Sequence, residues 1–100
     1  STEYGVIRLV VSDYHKALNV LVDEGYVVSV TKVAAVQVPD VPGGLNLVLS
    51  TISGMKIDIE YMYSMLGKDG NTAYMIFKVP DADLFNDTIK KSGLKTVDEI

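Results

Sequence analysis

The sequence predicts an α+β fold: from residue 33 onward, an antiparallel sheet of four strands with two helices on one face, preceded by an extra strand-helix-strand half module. Three observations carry this prediction. From residue 33 the apolar periodicities run strand, helix, strand, strand, helix, strand. The turn GKDGN, starting at Gly67, separates two β-like runs and is the strongest hairpin signal in the chain. Residues 11–28, VSDYHKALNVLVDEGYVV, return from Val79 as VPDADLFNDTIKKSGLKTV, with Val11, Asp13 and Gly25 falling on Val79, Asp81 and Gly93 at one constant offset. The chain thus holds two copies of a strand-helix-glycine-strand unit, and only the second is preceded by a strand-helix-strand segment, residues 33–66. Residues 1–32 read as the second half of a leading module and residues 33–100 as a complete one. Repeat units rely on neighbours to bury their apolar faces, so a partner surface is expected.

Each element has a local cause. YGVIRLVV, residues 4–11, is rich in β-branched residues and reads as a strand with one wetter face at Arg8. Ser12 or Asp13 caps a helix in which Tyr14, Ala17, Leu18 and Leu21 share an inward stripe, and Gly25 ends it. YVVSVT (26–31) and VAAVQV (33–38) are β-like and form either one bent strand or two. The Pro/Gly-rich turn PDVPGGLN, residues 39–46, feeds a helix with Leu45, Val48, Leu49 and Ile52 on one face, and Gly54 either stops that helix or weakens its last turn. IDIEYMYSML, residues 57–66, alternates strictly, placing Tyr61 and Tyr63 with Ile57 and Ile59 on a core face and Met62 with Leu66 on the other. TAYMIFKV (72–79) completes the hairpin. Pro80 and Asp81 open the last helix, which turns Ala82, Phe85 and Ile89 inward and ends at Gly93 before the short strand LKTV.

Two crossovers interleaved with a hairpin define the split βαβ arrangement, a ferredoxin-like βαββαβ sheet. Composition then narrows what it can do. The chain has 100 residues, 48% of them hydrophobic, which suits one compact domain with an appendage. Net charge is −4 and no basic stripe forms, so nucleic acid is not an expected partner. With no cysteine, disulfide and thiolate chemistry are excluded. No apolar run approaches the ~18 residues of a membrane span and none has a signal-peptide pattern. A soluble, cytoplasmic protein without membrane contact is expected.

The turn Asp40-Val41-Pro42-Gly43-Gly44-Leu45, after a strand and opening a helix, together with Ile57-Asp58-Ile59-Glu60-Tyr61-Met62-Tyr63-Ser64 one helix later, resembles the ACT domain, a small regulatory module that binds amino acids. The resemblance covers residues 33–100 as a whole module and 4–32 as half of one, and is greatest to short tandem-ACT proteins related to the regulatory subunit of acetolactate synthase. Asp58 departs from the Asn often found there, which puts a neutral amide contact in doubt. The resemblance implies a ligand site built from Asp40, Val41, Pro42, Gly43, Gly44, Leu45 and Asn46, with Tyr61 and Met62 of the strand, or the half module, as a second wall. Independently of family, Pro42 fixes a dihedral, Gly43 and Gly44 let backbone approach a ligand, and the helix start offers N–H groups to a carboxylate. Asn46 adds an amide that can accept from an ammonium and donate to a carboxylate.

Plainer readings stand beside these. The turn serves a crossover equally well without a ligand, Asn46 suits a helix start, and Tyr61 and Tyr63 suit core packing. Catalysis has little support: His15 is the only histidine and nothing local orients it, and Asp81, Asp83 and Asp87 suit a helix N-terminus better than a metal. No P-loop or dinucleotide fingerprint occurs. An acylphosphatase-like enzyme on the same fold lacks the paired Arg and Asn of a phosphate loop. No enzyme, metal or cofactor is expected. The expected function is an amino-acid-sensing regulatory module that modulates a metabolic enzyme or regulator, the alternative a purely structural association domain. Either implies a homodimer formed through a sheet edge or face, with exposed Met62 and Leu66 covered by another module.

Overall fold

The computed structural model describes residue 11 and residues 13–97, and the chain divides into two compact units, Ser1–Val30 and Thr31–Ile100. The described part of the first unit centres on helix α1, Tyr14–Asp23. Asp13 is its N-cap, the carboxylate accepting from the Lys16 amide at 3.1 Å. At the other end Gly25 adopts φ +89°, and the Gly25 and Tyr26 amides donate to the carbonyls of Val22 and Leu21. This is the paired closure that a left-handed residue permits. Ala17, Leu18 and Leu21 are half-buried, whereas Tyr14 is exposed and lies beside the His15 ring.

Two expectations for this half meet different outcomes. The strand at 4–11 lies almost wholly outside the described residues. Residues 26–31 form no strand; Val27 is fully exposed and Tyr26 and Val30 largely so. Their β-branched content expresses a fit to a packed, pleated surface rather than a backbone preference, and among the described residues they have no ladder partner.

The second unit contains β1 (Ala34–Gln37), α2 (Gly44–Ser53), β2 (Tyr61–Leu66), β3 (Ala73–Lys78), α3 (Ala82–Lys91) and β4 (Thr96–Val97). The strands form one sheet in the order β2-β3-β1-β4, every pair antiparallel. That order, with helices in the two crossovers, is the ferredoxin-like arrangement. α3 repeats the ends of α1 closely: Asp81 caps it by accepting from the Leu84 amide at 3.0 Å, and Gly93 has φ +90°. α2 ends at Gly54 in a right-handed conformation, its amide reaching the Ser50 carbonyl. Gly54 is therefore a helical cap and not a left-handed stop.

On the helix side of the sheet, Ala34, Val36, Met75 and Phe77 meet Val48 and Ile52 of α2 and Ala82, Phe85 and Ile89 of α3. Phe77 and Phe85 set the centre, ring centroids 5.2 Å apart. Leu45 was expected on this face but is exposed, because it lies in the first turn, beyond the sheet-covered stretch that Val48 and Ile52 occupy.

Strand β2 corrects the alternation. It begins only at Tyr61, and residues 57–60 are irregular. Ile57 and Ile59 pack against the helix-side core. Tyr61, Tyr63 and Met65 stand opposite Lys78, Ile76 and Tyr74, whereas Met62 stands opposite Phe77. Directly opposed residues share a sheet face, so Tyr61 and Tyr63 project away from the helices and Met62, with Leu66, lies on the helix side. The irregular stretch breaks the phase that strict alternation implied. The far face is buried at its centre as well, with Ile76 wholly and Ala35 almost wholly inaccessible.

Candidate functional site

The turn from Pro39 to Asn46 is built on backbone hydrogen bonds. The Val41 amide donates to the Pro39 carbonyl at 2.9 Å, and the Gly44 amide donates to the Val41 carbonyl at 3.0 Å. Gly43, the N-cap of α2, then adopts φ +78°, a left-handed conformation that suits glycine. It offers no capping side chain. The Leu47 amide takes the Gly43 carbonyl at 2.9 Å as the first intrahelical bond. Between these, the Leu45 and Asn46 amides have no backbone acceptor among the described residues. These are the orphan donors of a helix start, bearing its partial positive charge.

The two glycines play different parts. Among the described residues, a Cβ on Gly43 would meet nothing within 4 Å, so its backbone faces open space there. Gly44 is buried, and a Cβ there would collide with the Pro39 carbonyl oxygen. Sequence reasoning gave both glycines to ligand approach; the structure gives Gly44 to packing. It also brings forward Pro39, whose carbonyl both accepts from Val41 and abuts Gly44. No sequence signal marks a carbonyl for that role. Asp40, Val41, Pro42, Leu45 and Asn46 are all exposed around the bend, and no side chain of the turn caps the helix.

Tyr61 and Met62 lie elsewhere in the same module. The turn leaves β1 after Gln37, which pairs with Tyr74 near the start of β3, and the Val38 amide bonds to the Ala73 carbonyl. Ala73 pairs with Leu66 at the end of β2, while Tyr61 and Met62 pair with Lys78 and Phe77 at the other end. A strand of this length spans roughly 17–20 Å. One module therefore brings residues 40–46 together and holds Tyr61 and Met62 near the opposite end of the sheet.

Several other polar side chains have structural occupations. Asp81 caps α3, and Asp83 pairs with Lys32 at 2.9 Å on the surface. Glu60 lies 3.6 Å from the ammonium of Lys78. Asp69, in the β2–β3 turn, accepts from the Asn71 and Thr72 amides at 2.9 Å each and from the Thr72 hydroxyl at 2.7 Å. Those bonds hold its carboxyl at about 2, below the ordinary 3.8.

Known proteins set this geometry in a family. A search of curated proteins finds no match. Among solved structures, the crystal structure of protein BT0572 from Bacteroides thetaiotaomicron is similar, with 31% sequence identity and a TM-score of 0.70. The likeness covers 86% of this chain and 58% of that one, so the chain spans under two thirds of that protein's length. The family model for the ACT domain pair matches residues 1–100. ACT domains have a ferredoxin-like fold and are generally regulatory modules that bind small molecules, and no described helix is long and apolar enough to cross a membrane. With the whole sequence matched and the characteristic sheet order in place, the chain belongs to the ACT domain family.

Proposed function

We propose that residues 33–100 form a complete ACT module that binds a small amino acid at the turn 40–46, and that the ligand modulates a metabolic enzyme or regulator by favouring one association of modules. Residues 1–32 are the second half of a companion module. The observation that carries the reading is the open pair of amides on Leu45 and Asn46 behind a left-handed Gly43 without a side chain. A ligand carboxylate accepts from those amides, and the Asn46 side chain is within the same helical turn to accept from the ammonium.

Strand β2 of another module closes this site, with Met62 toward the ligand and Tyr61 on the opposite face of the strand. Two copies related by a two-fold axis that runs their β2 strands antiparallel set the start of one strand against the end of the other. Met62 of one copy then approaches the end at which the second copy carries its turn. Exposed Leu45, Leu66 and Met62 favour such an association, through a sheet edge or face. A ligand held between copies shifts the assembly only by its different affinity for the two states.

Calorimetry and thermal melting with a panel of amino acids test the reading. A true ligand raises stability by about 2.7 kcal/mol at a hundredfold excess over Kd, and Gly43→Val removes that rise. A panel without any shift rejects the site. The same exposed apolar residues support the second reading, an association domain without a ligand; a concentration-dependent dimer that no amino acid stabilises would establish it.

A further inference from the structure

We propose that Asp69–Gly70 is a site of spontaneous backbone isomerisation that the folded β2–β3 turn holds closed, so that isoaspartate forms there when the turn opens. The chain has one Asp-Gly pair and no Asn-Gly pair. In such a pair the backbone nitrogen of the glycine, unhindered by a Cβ, attacks the Cγ of the aspartic acid. The N–Cγ bond forms, a Cγ–O bond breaks, and the carboxyl oxygen leaves as water after proton transfer, giving a five-membered succinimide. Water then adds back. Opening at the former α-carbonyl leaves the chain running through Cγ, with one methylene more in the main chain, and no oxidant or reductant takes part.

The turn obstructs each requirement. The nucleophile is engaged, since the Gly70 amide donates to the Gly67 carbonyl at 3.0 Å. The electrophile is turned forward along the chain and fixed there: one carboxylate oxygen accepts from the amides of Asn71 and Thr72, the other from the Thr72 hydroxyl at 2.7 Å. These bonds also keep the carboxyl ionised, and a carboxylate is a poor acceptor for a nitrogen nucleophile. Gly70 itself is fixed at φ +72°. None of these restraints survives local opening, which costs exposed turns far less than global unfolding.

The modification has a structural consequence at the functional end of the module. The Gly67 amide closes the hairpin on the Thr72 carbonyl at 2.8 Å, and the next residue, Ala73, accepts from Val38 just before the turn 40–46. An extra main-chain methylene at residue 69 disrupts that closure and removes the carboxylate from Thr72. Isomerisation there thus loosens the end of the sheet that carries the candidate ligand turn.

The test is peptide mapping of the full chain aged at mildly acidic pH, once folded and once in urea, with electron-transfer fragmentation to assign isoaspartate to residue 69. The folded chain is expected to accumulate it at least about tenfold more slowly than the unfolded chain. Thr72→Val, which removes the hydroxyl bond at similar shape, is expected to speed accumulation several-fold in the folded chain and to leave the rate in urea unchanged. Equal folded and unfolded rates in the wild-type chain overturn the proposal without reference to any variant. A folded Thr72→Val chain that ages at the wild-type rate overturns it too. Asp69→Glu, which cannot close a five-membered ring, is expected to abolish the product in both states, and persistence of the signal would show that it arises elsewhere.

Discussion

Gly44→Ala separates a packing glycine from a ligand-facing one. The added Cβ is driven into the Pro39 carbonyl oxygen, 3.1 Å from its carbon and 3.5 Å from Cγ1 of Val38. That carbonyl cannot turn aside, because it accepts from the Val41 amide that shapes the bend. Forcing a methyl group into such a contact costs about 3 kcal/mol, at the upper end of overpacking penalties. Better helix propensity of alanine returns at most ~1 kcal/mol. The net loss is about 2–3 kcal/mol, or roughly 10–20 °C in Tm for a domain of this size. Gly43→Ala is the comparison. Its Cβ meets nothing among the described residues, so only the left-handed backbone is penalised, by about 1–2 kcal/mol. Urea titrations followed by circular dichroism measure both. If Gly44→Ala proves milder than Gly43→Ala, the close approach to Pro39 does not hold the turn and the division of labour between the glycines is wrong.

Other perturbations have distinct signatures. Asp81→Ala removes the acceptor of the Leu84 amide and should cost about 1 kcal/mol in a urea titration; a loss within error would mean that solvent replaces the cap fully. Asp69 has a depressed folded pKa, so its stabilisation is complete above its ordinary value of 3.8 and fades as pH falls toward about 2. The stability gap between wild type and Asp69→Ala should close across that window, and a gap independent of pH there would contradict the bonding to Thr72 and Asn71. Asn86 has a buried Oδ1 with no partner among the described residues, whereas the matching position of the first repeat copy is Leu18. Asn86→Leu should therefore stabilise by about 1 kcal/mol, and destabilisation would show that the amide does structural work.

The fold was legible where its causes are local. The cap and stop of each repeat copy, Asp13 with Gly25 and Asp81 with Gly93, act within one helical turn, and the structure reproduces them nearly degree for degree. The hairpin was legible for the same reason: Gly67 to Thr72 closes on itself. Residues 26–31 were not, because a strand exists only by pairing and their composition is silent about a partner. Tyr61 and Tyr63 were misplaced for a related cause. Alternation fixes which side chains go together along a strand, but not where the phase slips, and the irregular stretch before Tyr61 is visible only through the pairing of Tyr61 with Lys78.

That phase slip bears on the proposed site. The sequence alone treats Tyr61 and Met62 as joint members of a second wall, yet neighbours along a strand project to opposite faces. Met62 shares the helix side with Val48 and Ile52 of α2, the helix whose first turn carries the free amides. Tyr61 lies on the other side, stacked with Tyr63 at 6.2 Å between ring centroids. A ligand seated on the start of α2 and closed by β2 of a second module therefore meets Met62 and not the Tyr61 ring. Met62→Ala should weaken amino-acid binding about tenfold or more, as loss of a well-packed anchor of ~1.4 kcal/mol does. Tyr61→Phe, which keeps the ring stack and removes only the hydroxyl, should leave affinity unchanged. Calorimetry on the two variants decides: a loss confined to Tyr61→Phe would mean that the ligand lies across the helix-free face, away from the amides of Leu45 and Asn46.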